Sequence, residues 1–330
     1  MTYLLSLLDK SPIDQGRDGA FALHATARLA ARAEELGYHR FWVAEHHDMT
    51  NLASSAPEVL IAYLLAKTSK IRIGSGGVML QHYSAYKVAE TFNLLASLAP
   101  GRVDLGVGKA PGGFPLSTRA LQTAIDPARK ADFADQLSDI NIYLAADPNY
   151  EGAKATPFPP SAPERFLLGA SVESAELAAS KGWELVFAGH LNGDPENLRK
   201  TFEAYRRASG GKSPILALAA FAADSEEYAR ERVGNLRIVK VFLPNGQSVN
   251  VGSEEQAAEF ARQAGATDYR TEEKVPSVLH GTAAQIRMEL DELHRLYGVK
   301  EFVLDTPALP AAERLSSIEL LAKERLSLVA

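Results

Sequence analysis

The segment Phe41-Trp42-Val43-Ala44-Glu45-His46-His47 concentrates chemistry: an apolar run leads straight into a carboxylate and two imidazoles. Imidazole changes charge near neutrality, so a histidine at a strand end suits general acid/base work. Side chains alternate across a strand, which turns Glu45 and His47 one way and His46 the other. The competing reading is a pair of structural histidines capping the strand. A metal would ask for His-x-His, whose rings converge, whereas adjacent histidines diverge. His24, His39 and His294 fall in helices or at strand entries, and only His82 and His190 follow strands, so no metal is expected and a metal-dependent hydrolase is a rival reading only.

Glycines gather at two further strand ends, Gly74-Ser75-Gly76-Gly77 and Gly106-Val107-Gly108-Lys109-Ala110-Pro111-Gly112-Gly113. Glycine there lets a flat ligand approach closely, so the two ends could wall a planar ring; tight packing inside a barrel is the alternative. The spacing G-x-G-x-x-x-G is not the dinucleotide fingerprint G-x-G-x-x-G. Leu168-Gly169-Ala170-Ser171-Val172-Glu173-Ser174-Ala175 reads as strand, turn and helix start with two hydroxyls, which suits phosphate at a helix N-terminus, or an ordinary serine cap. Lys109 could add the opposite charge, and Arg129 is a further cation of unknown position.

These groups need elements to hold them. Short Val/Ile/Phe/Leu-rich runs at 3–8, 41–45, 71–77, 103–108, 166–171, 185–188, 215–221 and 301–305 make eight strand candidates, separated by stretches of helical period. Helices are expected over 20–36, ended by Gly37, over 56–68, opened by Ser55 and Pro57, over 86–98, and over 174–181, ended by Gly182. Ala22, Ala25, Leu29, Ala33 and Leu36 recur at helical spacing and mark a face that packs on a sheet. Eight near-continuously apolar strands alternating with helices predict an α/β fold, a (β/α)8 TIM barrel formed by residues 1–330 as one domain. The first turn, Asp9-Lys10-Ser11-Pro12, lacks the glycines of a doubly wound nucleotide fold.

Two segments exceed the repeat. Residues 145–165 carry five prolines and read as a surface loop. Residues 224–280 form an insertion between strand 7 and the last helices, with helices at 225–231 and 254–265 and a hairpin turning at Asn245-Gly246; a lid over the active-site end and plain decoration are both open.

Composition narrows the function classes. The 330 residues hold no cysteine, so disulfides, thiolate nucleophiles and cysteine-bound metals are excluded, and redox chemistry must come from a cofactor. The net charge of −6 and the lack of long basic runs argue against nucleic acid. No apolar run is long enough for a membrane helix and the N-terminus lacks a signal-peptide pattern, so a soluble cytoplasmic protein is expected.

The motifs FWVAEHH, IRIGSGGVML, KVAETFNLLASLAPGRVDLGVGKAPGG and LLGASVESAELAA, in this order, resemble the luciferase-like monooxygenase family of flavin-dependent barrel enzymes over residues 3–190, and GTAAQIRMELDELHRLYGVKEFVL is similar to its penultimate helix and last strand. The likeness is to single-component bacterial members. It implies a monooxygenase that uses reduced FMN and O2 on a small organic substrate. His46 would lie near the flavin and exchange a proton, Gly76-Gly77 would be a non-prolyl cis peptide against the ring, Lys109 would approach the phosphate, and Ser171 and Ser174 would bind it. Lys replaces the family's more frequent Arg at 109, and Gln81 replaces its usual Pro. The resemblance further implies NAD(P)H or a flavin reductase as the electron source, and a homodimer in which the helix after strand 2 takes part. An F420-dependent oxidoreductase and a flavin-binding protein without turnover are the alternatives.

Overall fold

Eight parallel strands close on themselves. They are β1 (Leu4–Asp9), β2 (Arg40–Val43), β3 (Arg72–Ser75), β5 (Val103–Gly108), β6 (Glu164–Gly169), β7 (Glu184–Ala188), β8 (Ile215–Ala222) and β13 (Glu301–Asp305), with β8 joining β7 to β13 and β13 joining β1. The computed structural model describes residues 3–126, 128, 130–189, 194–307 and 309–327; His190 and Arg129 lie outside these. Around the strands run α1 (Gly19–Glu35), α2 (Pro57–Lys67), α3 (Ala85–Leu98), α4 (Pro115–Leu121), α5 (Phe133–Leu144), α6 (Val172–Lys181), α7 (Pro195–Ala208), α10 (Ala283–Tyr297) and α11 (Ala311–Ser327). The chain folds as the (β/α)8 barrel that its strand count predicts.

Local chemistry sets the helix ends. Asp18 caps α1 by accepting from Phe21 N at 2.8 Å, and Ala22, Ala25, Leu29 and Ala33 are buried on its inner face. Thr282 and Gln285 form a reciprocal capping box on α10, and Gly298 ends that helix in the left-handed conformation. Four expectations shift. The strand predicted over 71–77 stops at Ser75 and resumes as β4 (Val78–Met79) beside β5, after a cis peptide between Gly76 and Gly77. The fifth strand runs two residues earlier than predicted, and α6 starts at Val172 rather than Ser174 because Ser171 is its cap. The loop over 145–165 is irregular but not all surface: Ala155 is fully buried and its carbonyl accepts from Asn93 Nδ2 at 2.7 Å.

The core divides at the strands. Alternate residues face the helices (Leu5, Leu7, Phe41, Val43, Leu105, Val107, Phe302, Leu304) or the barrel axis (Leu8, Trp42, Ala44, Phe166, Val186, Ile215, Ala217, Val303). The N-terminal end of the barrel is sealed by charge. Arg40 donates to Glu301 at 2.7 Å and Asp104 at 3.0 Å, Trp42 Nε1 donates to Asp104 at 2.9 Å, and Ser6 donates to Glu301 at 2.6 Å. Burial opposes the Arg40 charge, but Asp104 and Glu301 outweigh it and hold the guanidinium above its ordinary value. The opposite, C-terminal end is the one at which barrel enzymes of this architecture place their ligands.

Residues 226–281 build the excursion after β8: α8 (Glu226–Gly234), the strands β9 (Ile238–Phe242), β10 (Ser248–Val251) and β11 (Arg270–Lys274) in one antiparallel sheet, α9 (Glu254–Gln263), and β12 (Val278–Gly281), which returns to pair with β8. The β9–β10 turn holds Asn245 and Gly246, the latter at φ +84°, as the hairpin signal implies.

Candidate active site

The end of β2 splits its polar residues by face. Trp42 and Ala44 belong to the inner cluster, and the same alternation carries His46 to the axis side, half-buried, with its N–H donating to Ser54 O at 2.8 Å. Glu45 is fully buried on the helix side. Its Oε1 lies 2.7 Å from His47 Nε2 and accepts from the Tyr83 hydroxyl at 2.7 Å, while Oε2 accepts from Met79 N at 3.0 Å. Burial and then the Glu45 charge push the Tyr83 phenol well above its ordinary value, so it stays a donor. His47 also donates its backbone N–H to Gly112 O at 2.8 Å. The structural reading of the histidine pair therefore fits His47, and alternation continued past Ala44 gives His46 the opposite face.

The packing reading accounts for most of these glycines. A Cβ on Gly106 would sit 2.2 Å from Ser75 O, one on Gly77 2.8 Å from Gly106 O, and one on Gly74 2.5 Å from Asp104 Cβ. These glycines are demanded by the close approach of β3 and β5. Gly108 is different, since its Cβ would meet nothing nearer than Met79 Cε at 3.7 Å. It falls on the axis side of β5, as Ala188 and Ala219 do on β7 and β8, with the larger Leu168 of β6 between them.

Ser171 is the N-cap of α6. Its Oγ accepts from Ser174 N at 3.2 Å and lies 3.2 Å from Ser174 Oγ, so both hydroxyls gather at one helix N-terminus. Lys109 is exposed just past β5, the strand hydrogen-bonded to β6, and its carbonyl accepts from Gln81 Nε2 at 3.0 Å.

Sequence reasoning missed one feature of the mouth. Lys10 follows Leu8, and Asp305 follows Val303, on the axis faces of neighbouring strands, and Lys10 Nζ donates to Asp305 Oδ2 at 2.6 Å. Counting alternation two residues past the apolar run of β1 finds it; ending that strand at residue 8 hides it. The excursion after β8 covers the loops of β2 and β5. Its core includes Phe114, whose ring lies 5.6 Å from that of Phe260, and is packed by Met49, while Gln263 Oε1 accepts from Leu116 N at 2.9 Å.

A family model described as luciferase-like monooxygenase matches residues 1–300. The chain belongs to the luciferase-like monooxygenase family. Among its curated relatives, an N-acetyl-S-alkylcysteine monooxygenase of Bacillus subtilis is 44% identical over 326 residues, 96% of this chain and 97% of that one. The crystal structure of apo-MsnO8 superposes with a TM-score of 0.78 at 30% identity, covering 98% of each chain. The luciferase-like barrel is also shared, at 19% and 17% identity, with the oxygenating constituent of 3,6-diketocamphane monooxygenase from a Pseudomonas putida plasmid in complex with FMN (TM-score 0.69, 98% of each chain) and with an F420-dependent secondary alcohol dehydrogenase (TM-score 0.66, 97% of this chain and 98% of that one). The barrel with its mouth at the strand C-termini is thus a monooxygenase-family scaffold.

Proposed function

We propose that this chain is a flavin-dependent monooxygenase that uses reduced FMN and O2 on a small organic thioether, of the kind for which its Bacillus subtilis relative is named. The observation that carries this reading is the 44% identity to that relative across 96% of the chain.

The residues of the mouth fit FMN. The N-terminus of α6, with Ser171 and Ser174, offers backbone N–H groups and hydroxyls to a phosphate, and Lys109 on the neighbouring strand end offers a cation. The small side chains on the axis faces of β5, β7 and β8 leave width for a planar ring beside Gly76-Gly77. Bound there, reduced FMN would supply the electrons that activate O2. The chain's own part is to hold that ring, to move a proton at the imidazole of His46, and to keep water out with the excursion packed over the β2 and β5 loops.

Anaerobic titration with FMN, oxidised and then photoreduced, tests the reading, followed by admission of isotopically labelled O2 with N-acetyl-S-methylcysteine present. Tight binding of the reduced form and one labelled oxygen atom in the organic product are the expected results. Absence of binding in both redox states overturns it, and binding of F420 instead would make the protein a deazaflavin oxidoreductase on the same barrel.

A further inference from the structure

We propose that Lys10 and Asp305 form a two-point reader for the polar end of the substrate, Lys10 taking a carboxylate and Asp305 an adjacent N–H, so that the substrates are N-acylated amino acids. This rests on the monooxygenase reading for the thioether part of the molecule, and on the mouth itself for the rest.

The pair is built into the rim. On β1, Leu5 and Leu7 face the helices and Leu8 faces the axis; Asp9 turns outward, where it accepts from Thr26 at 2.5 Å and pairs with the buried Arg314. Lys10 is therefore turned inward, and 30% of its side chain stays exposed. On β13, Val303 faces the axis and so does Asp305, whose side chain is only 4% exposed. An ammonium has three N–H groups, and one of them is used on Asp305 Oδ2. The other carboxylate oxygen, Oδ1, is buried and has no hydrogen-bond partner among the described residues. A buried acceptor without a donor carries a free-energy penalty that a bound N–H would relieve. Lys10 thus presents donors beside an acceptor that lacks one.

That pairing matches a carboxylate and an acylated nitrogen on the same carbon. A lone carboxylate would be attracted by Lys10 and repelled by Asp305, whereas a group carrying both an anion and an N–H satisfies both. Geometry sets the rest of the molecule. β13, β1 and β2 are successive neighbours, and the register that pairs Asp9 with Val43 sets Lys10 level with Ala44, so His46 stands one strand over and two residues further along, roughly 8 Å from Lys10 between backbones. A sulfur three bonds from the carboxylate carbon would reach from the reader toward His46.

Calorimetric titration of the FMN-loaded protein with N-acetyl-S-methylcysteine, its primary amide, and the analogue with ester oxygen in place of the amide N–H provides the test. The wild type is expected to prefer the acid over its amide by about tenfold to hundredfold, the range of a charge-assisted hydrogen bond. K10M should bring that preference within about threefold and K10R should keep it, while D305A, which removes the acceptor, should lose discrimination between the N–H compound and its ester analogue. Because K10M strips a buried carboxylate of its cation, K10M/D305N, which removes both charges, is measured alongside. Equal binding of acid and amide by the wild type, binding of neither, or an acid preference that survives in K10M/D305N overturns the proposal. A Lys10-dependent preference without O2 consumption by reduced FMN would sink the monooxygenase reading and leave the reader standing.

Discussion

Glu45 lies 2.7 Å from His47 on the helix side of the strand end that turns His46 toward the barrel axis. The same carboxylate accepts from Tyr83 and from Met79 N, so it ties β2 to the chain just past the Gly76-Gly77 peptide. Glu45→Gln keeps the shape but leaves only one oxygen for these donors. A buried donor stripped of its acceptor costs about 1–3 kcal/mol, and the urea midpoint of E45Q should fall accordingly. A midpoint equal to that of the wild type would show that the network does not hold this corner together.

The glycines of β5 separate packing from function. Gly106→Ala drives a methyl into Ser75 O, a backbone atom with no freedom to retreat, and should cost about 1–3 kcal/mol or more. Gly108→Ala meets only ordinary contacts and should unfold within about 0.5 kcal/mol of the wild type. Its methyl would project toward the mouth, so G108A should weaken FMN binding while stability is kept. Thermal unfolding and a fluorescence titration on the two variants check both halves, and unchanged FMN affinity in G108A would remove Gly108 from the ring wall.

How much of this could be read from the chain depends on how regular each strand is. The alternation in 41–47 assigns His46 and Glu45 to opposite faces; the ladder of β2 ends at Val43, and Ala44 just past it still packs in the inner cluster. The break after Ser75 is invisible to periodicity, because an apolar run looks continuous whether or not its backbone bulges. Lys10 and Asp305 were legible in principle, but charged residues after an apolar run look like the start of a turn. The Arg40 plug was not legible. Its partners Asp104 and Glu301 lie 64 and 261 residues away, and only barrel closure brings them together.

Ser171 caps α6 whether or not it also binds phosphate, and one substitution distinguishes the roles. Aspartate caps as well as serine does, so Ser171→Asp should preserve stability, whereas alanine should cost about 1 kcal/mol. An aspartate at the same N-terminus would also repel a phosphate. We expect S171D to unfold like the wild type and to bind FMN much more weakly, with S171A/S174A intermediate in affinity. If S171D binds FMN with wild-type affinity, the phosphate lies elsewhere.

His82 gives the fold a pH dependence. Its Nε2–H donates to Pro111 O at 2.7 Å and its Nδ1 lies 3.0 Å from Gln122 Nε2, an arrangement that suits the neutral ring. Burial lowers its pKa below 6.5, and burial followed by the Arg40 charge lowers that of His39. The unfolded chain therefore takes up these protons first as pH falls. Stability should be level above the unfolded value near 6.5 and decline as pH drops from there through the folded values. Urea midpoints at about pH 7.5 and 5.5 should differ less in His82→Gln than in the wild type, since one depressed site is gone. Equal pH slopes in both would dismiss His82 as a source.

His46 is the inward imidazole, and its removal bears most directly on the reaction. Its backbone N–H, bonded to Ser54 O, is untouched by His46→Ala, and its half-buried ring leaves no sealed cavity behind. The variant should therefore fold and bind FMN like the wild type. Loss of a positioned acid/base costs about 100- to 10,000-fold in rate, and H46A should lose turnover by that factor. Reduced FMN should still be reoxidised by air at the mouth, so O2 consumption would persist while labelled organic product disappears. Single-turnover measurement of both quantities separates the two steps, and coupled product formation at the wild-type rate would take His46 out of the mechanism.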